Sequence, residues 1–305
     1  MSTKCFALAA RFGKRLPSSA IMLLAGFVVW LPGHAAIAAI LYTSAWGGGY
    51  INEYTTSGAG TTFASGLNCP SGLCFDHSGD LFECDSHSGN IYKFAPTGIR
   101  STFATGLNQP NDIRLSPDGN FYVDTYNGRT VYKFTPGGVR STFAAKIGYC
   151  NGMTFDSVGN LYVCLSSGVV DRISPGGVVS TYASGFYNAS FIAFDQFGDA
   201  YVDDLSYKIY KVTSTGVKST FATGLSYPLG LAFDEGGNLF EADRDSGNIY
   251  EFTPSGSRST FASGINGPAC LAFAPSVPEP STLLIWSLLG GLGIAIHWWR
   301  RERAA

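Results

Sequence analysis

Short apolar segments of four to six residues, separated by turns rich in Gly, Asp, Asn, Ser and Pro, follow one another through most of the chain. One stretch shows the pattern in full, with apolar segments at 72–76, 81–84, 91–94 and 99–104. Segments of this length, bounded by such turns, are typical of antiparallel β-strands. The pattern therefore predicts four consecutive strands in each unit of about 40 residues.

The unit is repeated. The tetrapeptide Ser/Thr-Thr-Phe/Tyr-Ala occurs six times at intervals of 40, 40, 39, 39 and 40 residues, with its aromatic residue at Phe63, Phe103, Phe143, Tyr182, Phe221 and Phe261. A period near 40 residues with four strands per repeat is typical of β-propeller blades. Because the aromatic residue recurs in every repeat, we expect it in the core between blades.

The order of the strands predicts how the ring closes. The repeats open with a second strand at 40–43 and end with a first strand at 270–273, so the last blade is complete only if these two segments pair. Such pairing also removes two exposed sheet edges. The sequence therefore predicts an all-β, six-bladed β-propeller of four-stranded antiparallel blades over residues 39–276.

Composition and charge exclude several classes of protein. Of 305 residues, 38 are Gly, 43 are Phe, Tyr or Trp, and only 14% are charged, which excludes a coiled coil and a disordered chain. Residues 39–277 hold 13 basic and 20 acidic side chains, a net charge of −7. Nucleic acid is therefore not an expected partner, because binding to phosphate backbones needs clustered Lys and Arg.

The N-terminus has the order of a secretory signal peptide. Lys4, Arg11, Lys14 and Arg15 precede an apolar run at 20–31 and an Ala-rich stretch at 35–39. This order predicts a signal peptide at 1–38 that is cleaved on export. The alternative is an uncleaved membrane anchor.

The C-terminus has three parts in sequence. Pro278, Glu279 and Pro280 precede an apolar run at 283–299, and an Arg-rich end follows. The run predicts one transmembrane helix with its Arg-rich end in the cytoplasm. Residues 277–305 closely resemble the PEP-CTERM sorting signal of Gram-negative bacteria. The resemblance implies an exosortase as processing partner, transient anchoring in the inner membrane, and delivery to the cell surface or matrix alongside exopolysaccharide. The alternative is an ordinary tail anchor.

Residues 110–124, which read PNDIRLSPDGNFYVD, carry a second resemblance, to the NHL-repeat and gluconolactonase-like six-bladed propellers. Enzymes of the latter group bind a divalent cation through a Glu, an Asn and an Asp at the mouth of the channel. The six first strands carry at that mouth Ser71, Asn111, Asn151, Ser190, Leu229 and Ala269. The resemblance thus carries over only to Asn111 and Asn151, and no cofactor is expected unless the protein is such an enzyme. The alternative role for these amides is to cap local turns.

Histidine chemistry is not expected. Residues 39–277 contain only His77 and His87, which the strand order places at opposite ends of a blade. A His-based acid/base pair, a Ser-His-Asp triad and a His-rich metal site are therefore not expected. The chain also departs in this respect from the virginiamycin B lyase-like propellers, whose chemistry depends on a His.

Two sets of acidic residues recur on the second strands. Asp85, Asp204 and Asp243 end these strands, where we expect them to bond loop backbone. Glu83 and Glu241 occupy equivalent positions in different repeats, and we expect them to be solvated or to line the channel.

The cysteines suggest disulfides. Six remain after export, an even number in an oxidising compartment. Strand positions predict the pairs Cys69–Cys84 and Cys150–Cys164, which leaves Cys74–Cys270. The alternative is a set of free buried thiols.

One rim of the ring is rich in aromatic residues. Tyr149 and Tyr227 occupy equivalent positions in the linkers between blades, and Tyr187 is one residue away from that position. Trp46, Tyr126 and Tyr207 lie in loops between second and third strands. With Asn111, Asn151, Asp203 and Asp245 nearby, this rim is suited to stacking on sugar rings and bonding their hydroxyls. The alternative is that the aromatic rings only fill gaps between loops.

Three functional classes follow. The preferred one is an exported surface or matrix protein that binds without catalysis and has exopolysaccharide as a candidate ligand. The second is a metal-dependent, gluconolactonase-like hydrolase. The third is a scaffold that presents this rim to another surface protein.

Overall fold

The computed structural model describes residues 40–275. These residues form 24 β-strands in six four-stranded antiparallel sheets. No helix in this range is long and apolar enough to cross a membrane. The predicted signal peptide at 1–38 and the predicted sorting signal and transmembrane helix at 277–305 lie outside the described residues.

Each sheet is one blade, and the blades are numbered here in chain order. Blade 1 consists of β1 (Leu41–Ala45), β2 (Tyr50–Tyr54), β3 (Gly60–Ser65) and the last strand, β24 (Pro268–Phe273). Blade 2 consists of β4 (Pro70–Phe75), β5 (Leu81–Asp85), β6 (Asn90–Phe94) and β7 (Arg100–Ala104). Blade 3 consists of β8 (Pro110–Leu115), β9 (Phe121–Thr125), β10 (Thr130–Phe134) and β11 (Arg140–Ala145).

The other three blades repeat this order. Blade 4 consists of β12 (Cys150–Phe155), β13 (Leu161–Leu165), β14 (Val169–Ile173) and β15 (Val179–Ser184). Blade 5 consists of β16 (Ala189–Phe194), β17 (Ala200–Asp204), β18 (Lys208–Val212) and β19 (Lys218–Thr223). Blade 6 consists of β20 (Pro228–Phe233), β21 (Leu239–Asp243), β22 (Asn248–Phe252) and β23 (Arg258–Ala262).

The two ends of the described chain close the ring. β24 pairs antiparallel with β1, with Leu41 opposite Phe273 and Ala45 opposite Pro268. The inner strands β4, β8, β12, β16, β20 and β24 contact one another around the axis. The predicted six-bladed propeller, with antiparallel blades and closure by its terminal strands, is confirmed.

The second strand of each blade forms most of the core. All five residues of β5 are buried, and alternate side chains point to opposite neighbouring blades. Phe82 and Cys84 pack with Phe121 of blade 3. The repeated aromatic residue completes this interface, since Phe103 meets Phe82 edge-to-face with ring centroids 5.0 Å apart. Such a pair contributes about 0.5–1.5 kcal/mol beyond the area it buries.

The predicted disulfides are absent, because all six cysteines between residues 40 and 275 are free. Cys150 packs between blades 3 and 4, whereas Cys164 packs between blades 4 and 5, so these two thiols lie on opposite faces of one sheet. The cysteines of the predicted Cys69–Cys84 pair are also separated. Cys84 is buried between blades 2 and 3, whereas Cys69 lies in a linker with its Sγ 3.1 Å from His87 Nδ1.

The thiols of the third predicted pair each face a backbone donor. Cys74 Sγ accepts a hydrogen bond from Leu115 N at 3.1 Å, and Cys270 Sγ accepts one from Leu73 N at 3.3 Å. Both donors belong to the next blade around the ring. These two cysteines therefore link neighbouring blades by hydrogen bonds instead of by a covalent bond to each other.

The prediction for Glu83 and Glu241 is wrong. Both side chains are fully buried between blades, and none of their four carboxyl oxygens has a hydrogen-bond partner among residues 40–275. Asp203, predicted near the aromatic rim, is buried in the same way. Asp203 points to the same side of β17 as Tyr201, which packs against blade 6, and its charge acts on Glu241 there. Burial, and then the Asp203 charge, raises the pKa of Glu241 well above its usual range.

Candidate functional site

A bulge in each inner strand determines what faces one mouth of the channel. In β12, Cys150 is opposite Leu165 and Gly152 is opposite Cys164, so Asn151 is left over between them. A β-bulge of this kind turns a side chain away from the regular alternation. The same register shift occurs at the equivalent position of every inner strand. The six residues predicted to ring the mouth all lie at these bulges.

The polar members of this ring connect neighbouring blades. Asn151 Nδ2 donates to Ala189 O and to Asn188 Oδ1, each at 2.8 Å, and Asn111 Nδ2 donates to Asn151 O. Ser71 Oγ donates to Pro110 O at 3.3 Å, and Ser190 Oγ donates to Pro228 O at 2.9 Å. Four of the six positions therefore form a belt of hydrogen bonds that links blades 2 to 6 in turn, and the role of Asn111 and Asn151 as local turn caps is not observed.

Above this belt lies a cavity of about 280 Å³. Its aromatic walls are Trp46, Tyr126 and Tyr227, all half-buried. The remaining lining residues are uncharged polar or aliphatic, or histidine: Ser86, His87, Gln109, Asn111, Asn151, Asn188, Ser190, Leu205 and Leu229. No carboxylate, lysine or arginine of the described chain lines this cavity.

Two stacks of aromatic rings and guanidinium groups hold the walls. Arg244 lies 5.0 Å from the ring centroid of Trp46 and 4.8 Å from that of Tyr227, so it bridges the two rings. On the other side Tyr149 stacks on Tyr126 at 5.1 Å, and Arg129 lies 4.1 Å over Tyr149. These contacts orient the rings before any ligand arrives, which lowers the entropy lost on binding.

The acidic residues that end the second strands position the linkers. Asp204 accepts hydrogen bonds from Tyr187 N and Asn188 N, both at 2.9 Å, and Asp243 Oδ2 accepts one from Ser226 N at 2.8 Å. Asp85 Oδ2 accepts one from Asn68 N at 2.7 Å. These carboxylates fix the linkers that carry Asn188 and Tyr227 to the cavity.

The structure separates the predicted aromatic residues into two groups. Trp46, Tyr126 and Tyr227 line the cavity together with Asn111 and Asn151. Tyr149 lies behind Tyr126, whereas Tyr187 and Tyr207 are 76% and 55% exposed and do not line the cavity.

Sequence reasoning missed Gln109 and Asn188. Both occupy the linker position directly before an inner strand, which is also the position of Tyr149 and Tyr227. Comparing that position in all six repeats is the signal that finds them.

The two histidines lie at opposite mouths. His87 lines the cavity and contacts Trp46 with ring centroids 5.8 Å apart, whereas His77 lines a second cavity at the other end. No two imidazoles of the described chain therefore act on one ligand. The His87 ring is instead held by Cys69.

The side chains at the mouth do not fit the divalent cation implied by the gluconolactonase-like resemblance. Hard cations need several oxygen ligands, usually including carboxylates. Asn151 Oδ1 already accepts a hydrogen bond from Ser166 Oγ at 3.2 Å, and no carboxylate lines the cavity. No group of three or more His, Cys, Asp or Glu side chains within 40–275 has the spacing to hold a metal ion.

Comparison with known proteins agrees with this architecture. Residues 80–206 match the SMP-30/gluconolactonase/LRE-like region. A chain from the nidogen/laminin complex is 16% identical with a TM-score of 0.71, and the alignment covers 79% of this chain and 100% of that one. The chain therefore has the fold of a six-bladed β-propeller, and residues 80–206 are similar to the gluconolactonase-like region.

Two further solved structures show the same fold. A putative gluconolactonase is 14% identical with a TM-score of 0.61, covering 70% of this chain and 88% of that one. A catalytically inactive virginiamycin B lyase from Staphylococcus aureus with quinupristin is 15% identical with a TM-score of 0.60, and the alignment covers 78% of this chain and 93% of that one. No curated protein sequence matches the chain significantly. At these identities the similarity establishes the fold and no activity.

Proposed function

We propose that this propeller is an exported, non-catalytic binding protein whose cavity holds a neutral sugar unit of an exopolysaccharide. The observation that carries the proposal is the lining of the cavity, in which three aromatic rings stand beside amides and hydroxyls with no carboxylate, lysine or arginine of the described chain. Sugar rings present apolar C–H faces for stacking and hydroxyls for hydrogen bonding.

Several polar groups at the cavity are free for a ligand. Within residues 40–275 no hydrogen bond uses the side-chain amide of Gln109 or the phenol hydroxyls of Tyr126 and Tyr227. An amide and a phenol each both donate and accept, which suits sugar hydroxyls. The side-chain amides of Asn111 and Asn151 are already bonded within the belt, so they shape the bottom of the cavity.

Processing and location form part of the same proposal. The signal peptide at 1–38 and the sorting signal at 277–305 would lead to export, transient anchoring in the inner membrane, exosortase processing near Pro278, and release to the cell surface or matrix. The resemblances of the two ends support these steps. Both ends of the described propeller lie beside each other, since Ala274 N donates to Ile40 O at 2.9 Å.

A binding experiment tests the proposal. Pull-down on the producer's own polysaccharide, followed by calorimetric titration with its oligosaccharides, is expected to show binding that weakens about tenfold or more in Trp46→Ala and Tyr227→Ala. Tyr187→Ala is the matched control, because this linker tyrosine is 76% exposed and lies outside the cavity. Equal weakening in the control would contradict the site, and capture of a surface protein with no glycan binding would favour the scaffold.

The hydrolase alternative has its own test. Hydrolysis of a sugar lactone that requires an added divalent metal, and that is lost in Asn111→Ala and Asn151→Ala, would overturn the proposal. We expect no such activity, because both amides are committed to the belt.

A further inference from the structure

A second cavity, of about 500 Å³, lies at the opposite mouth of the channel. The cavity exists because most inner strands carry a small residue at the same position, directly before the last residue of the strand. Five of the six equivalent positions hold Cys74, Thr154, Ala193, Ala232 and Ala272, and all five line the cavity. The sixth position holds Arg114, which reaches into the space that the small residues leave.

Arg114 is fixed on one side and open on the other. Its Nε donates to Asp112 Oδ2 at 3.1 Å and to Met153 O at 2.9 Å, and its guanidinium lies 4.8 Å over the Phe191 ring. The side chain is only 18% exposed. In the described structure Nη1 has no hydrogen-bond acceptor, and Nη2 has only Cys270 Sγ at 3.9 Å. Strong N–H donors are therefore left open at a cavity whose lining is mainly apolar but includes Asp76 and His77.

The charge of Arg114 is already balanced. The two oxygens of Asp112 accept hydrogen bonds from Ile113 N, Met153 N and Arg114 Nε, a pattern of donors that suits the ionised carboxylate. A ligand that supplied a second carboxylate here would add an uncompensated buried charge, which is costly.

The surroundings of this mouth also disfavour an anion. The turns between first and second strands lie at this end, and they carry the carboxylates Asp76, Asp80, Asp118, Asp156, Asp195, Asp199, Asp234 and Glu235. Lysines pair with some of them, as Lys93 does with Asp80 at 2.6 Å. The excess of negative charge repels an approaching anion.

We propose that this second cavity binds a neutral, largely apolar molecule with one carbonyl oxygen, such as a ketone, an ester or a lactone. The carbonyl oxygen accepts hydrogen bonds from the free Nη groups of Arg114, and the apolar part packs on the inner-strand residues, among them Phe194, Phe233 and Phe273. This site is separate from the aromatic cavity at the other mouth and does not depend on the sugar-binding proposal.

Titration with 2-octanone tests the site on the closed propeller, residues 39–276. We expect saturable one-to-one binding, weakened about tenfold or more in Arg114→Met, since a hydrogen bond to a charged group is lost. Ala232→Phe fills the cavity while keeping the Arg114–Asp112 pair, and it should abolish binding. Arg172→Met, which removes an exposed guanidinium from β14 outside both cavities, is the matched control and should bind as the wild type does.

Octanoate separates the neutral ligand from an anion of the same length. Tighter binding of octanoate than of 2-octanone would overturn the proposal, and so would absence of 2-octanone binding or binding unaffected by Ala232→Phe. Self-association without ligand that Ala232→Phe abolishes would identify a second copy as the occupant and would also overturn it. Thermal unfolding of Arg114→Met and Ala232→Phe checks that both variants fold.

Discussion

We expect the unpartnered carboxyl groups between blades 5 and 6 to make the stability of the ring depend on pH. Glu241 and Asp203 are fully buried and have no hydrogen-bond partner in the described part of the chain. Burial is the main cause that raises the pKa of each, followed for Glu241 by Asp203 and Asp243, while Arg258 acts in the opposite direction. Each group is therefore held in its neutral form well above the usual carboxyl range.

The sign follows from proton linkage. When the pKa of a carboxyl is raised by folding, the unfolded chain releases its proton first, so the contribution of that carboxyl to stability is highest below about pH 4 and falls as the pH rises toward the folded pKa. Between the two pKa values each such group lowers the free energy of unfolding by about 1.4 kcal/mol per pH unit. Replacing Glu241 with Gln removes one of these contributions.

We therefore predict that Glu241→Gln flattens the dependence of stability on pH. Urea unfolding from pH 5 to pH 8 should give a slope smaller by up to about 1.4 kcal/mol per pH unit, with the variant more stable than the wild type at the alkaline end. Glu235→Gln, on an exposed turn of the same blade, should keep the wild-type slope. Parallel curves for the wild type and Glu241→Gln would refute the reasoning.

Two further predictions concern the thiols and the hydrogen-bond belt. Alkylation without reductant should modify all six cysteines of residues 39–276 in denaturant but only Cys69 quickly in the native state, because Cys69 is partly exposed and the other five thiols are buried. Mass spectra that show a disulfide would contradict this prediction. Asn151→Ala should lower the free energy of unfolding by about 1–3 kcal/mol, measured by urea unfolding, because it removes the side-chain donor to Ala189 O. Unchanged stability, or wild-type stability that requires added divalent metal, would contradict the structural role of the hydrogen-bond belt.

The fold could be predicted because its signals are local and repeated. The recurring tetrapeptide and the turns set the strand order, and the offset between the first and last strands set the closure between β1 and β24. The ring of residues at the mouth could also be located by counting along each repeat. These features need no knowledge of which side chains meet across blades.

The roles of particular residues depended on contacts that the repeat does not specify. Asn151 bonds Ala189 O on the next blade, 38 residues away, and only the curvature of the ring brings them together. The disulfide prediction failed because Cys150 and Cys164 are close in sequence yet point to opposite faces. The burial of Glu241 could have been predicted from the sequence, because the equivalent residues of three other blades are the apolar Val123, Val163 and Val202.

Trp46 reports sugar binding at the cavity by its fluorescence, because it is the only tryptophan in residues 39–276 and lines the cavity. Titrating this propeller with neutral oligosaccharides from the producer's polysaccharide should change the Trp46 fluorescence saturably, in the presence of a metal chelator as well as in its absence. A fluorescence signal that does not respond to any of these sugars, or a response that the chelator abolishes, would contradict metal-independent sugar binding at this cavity.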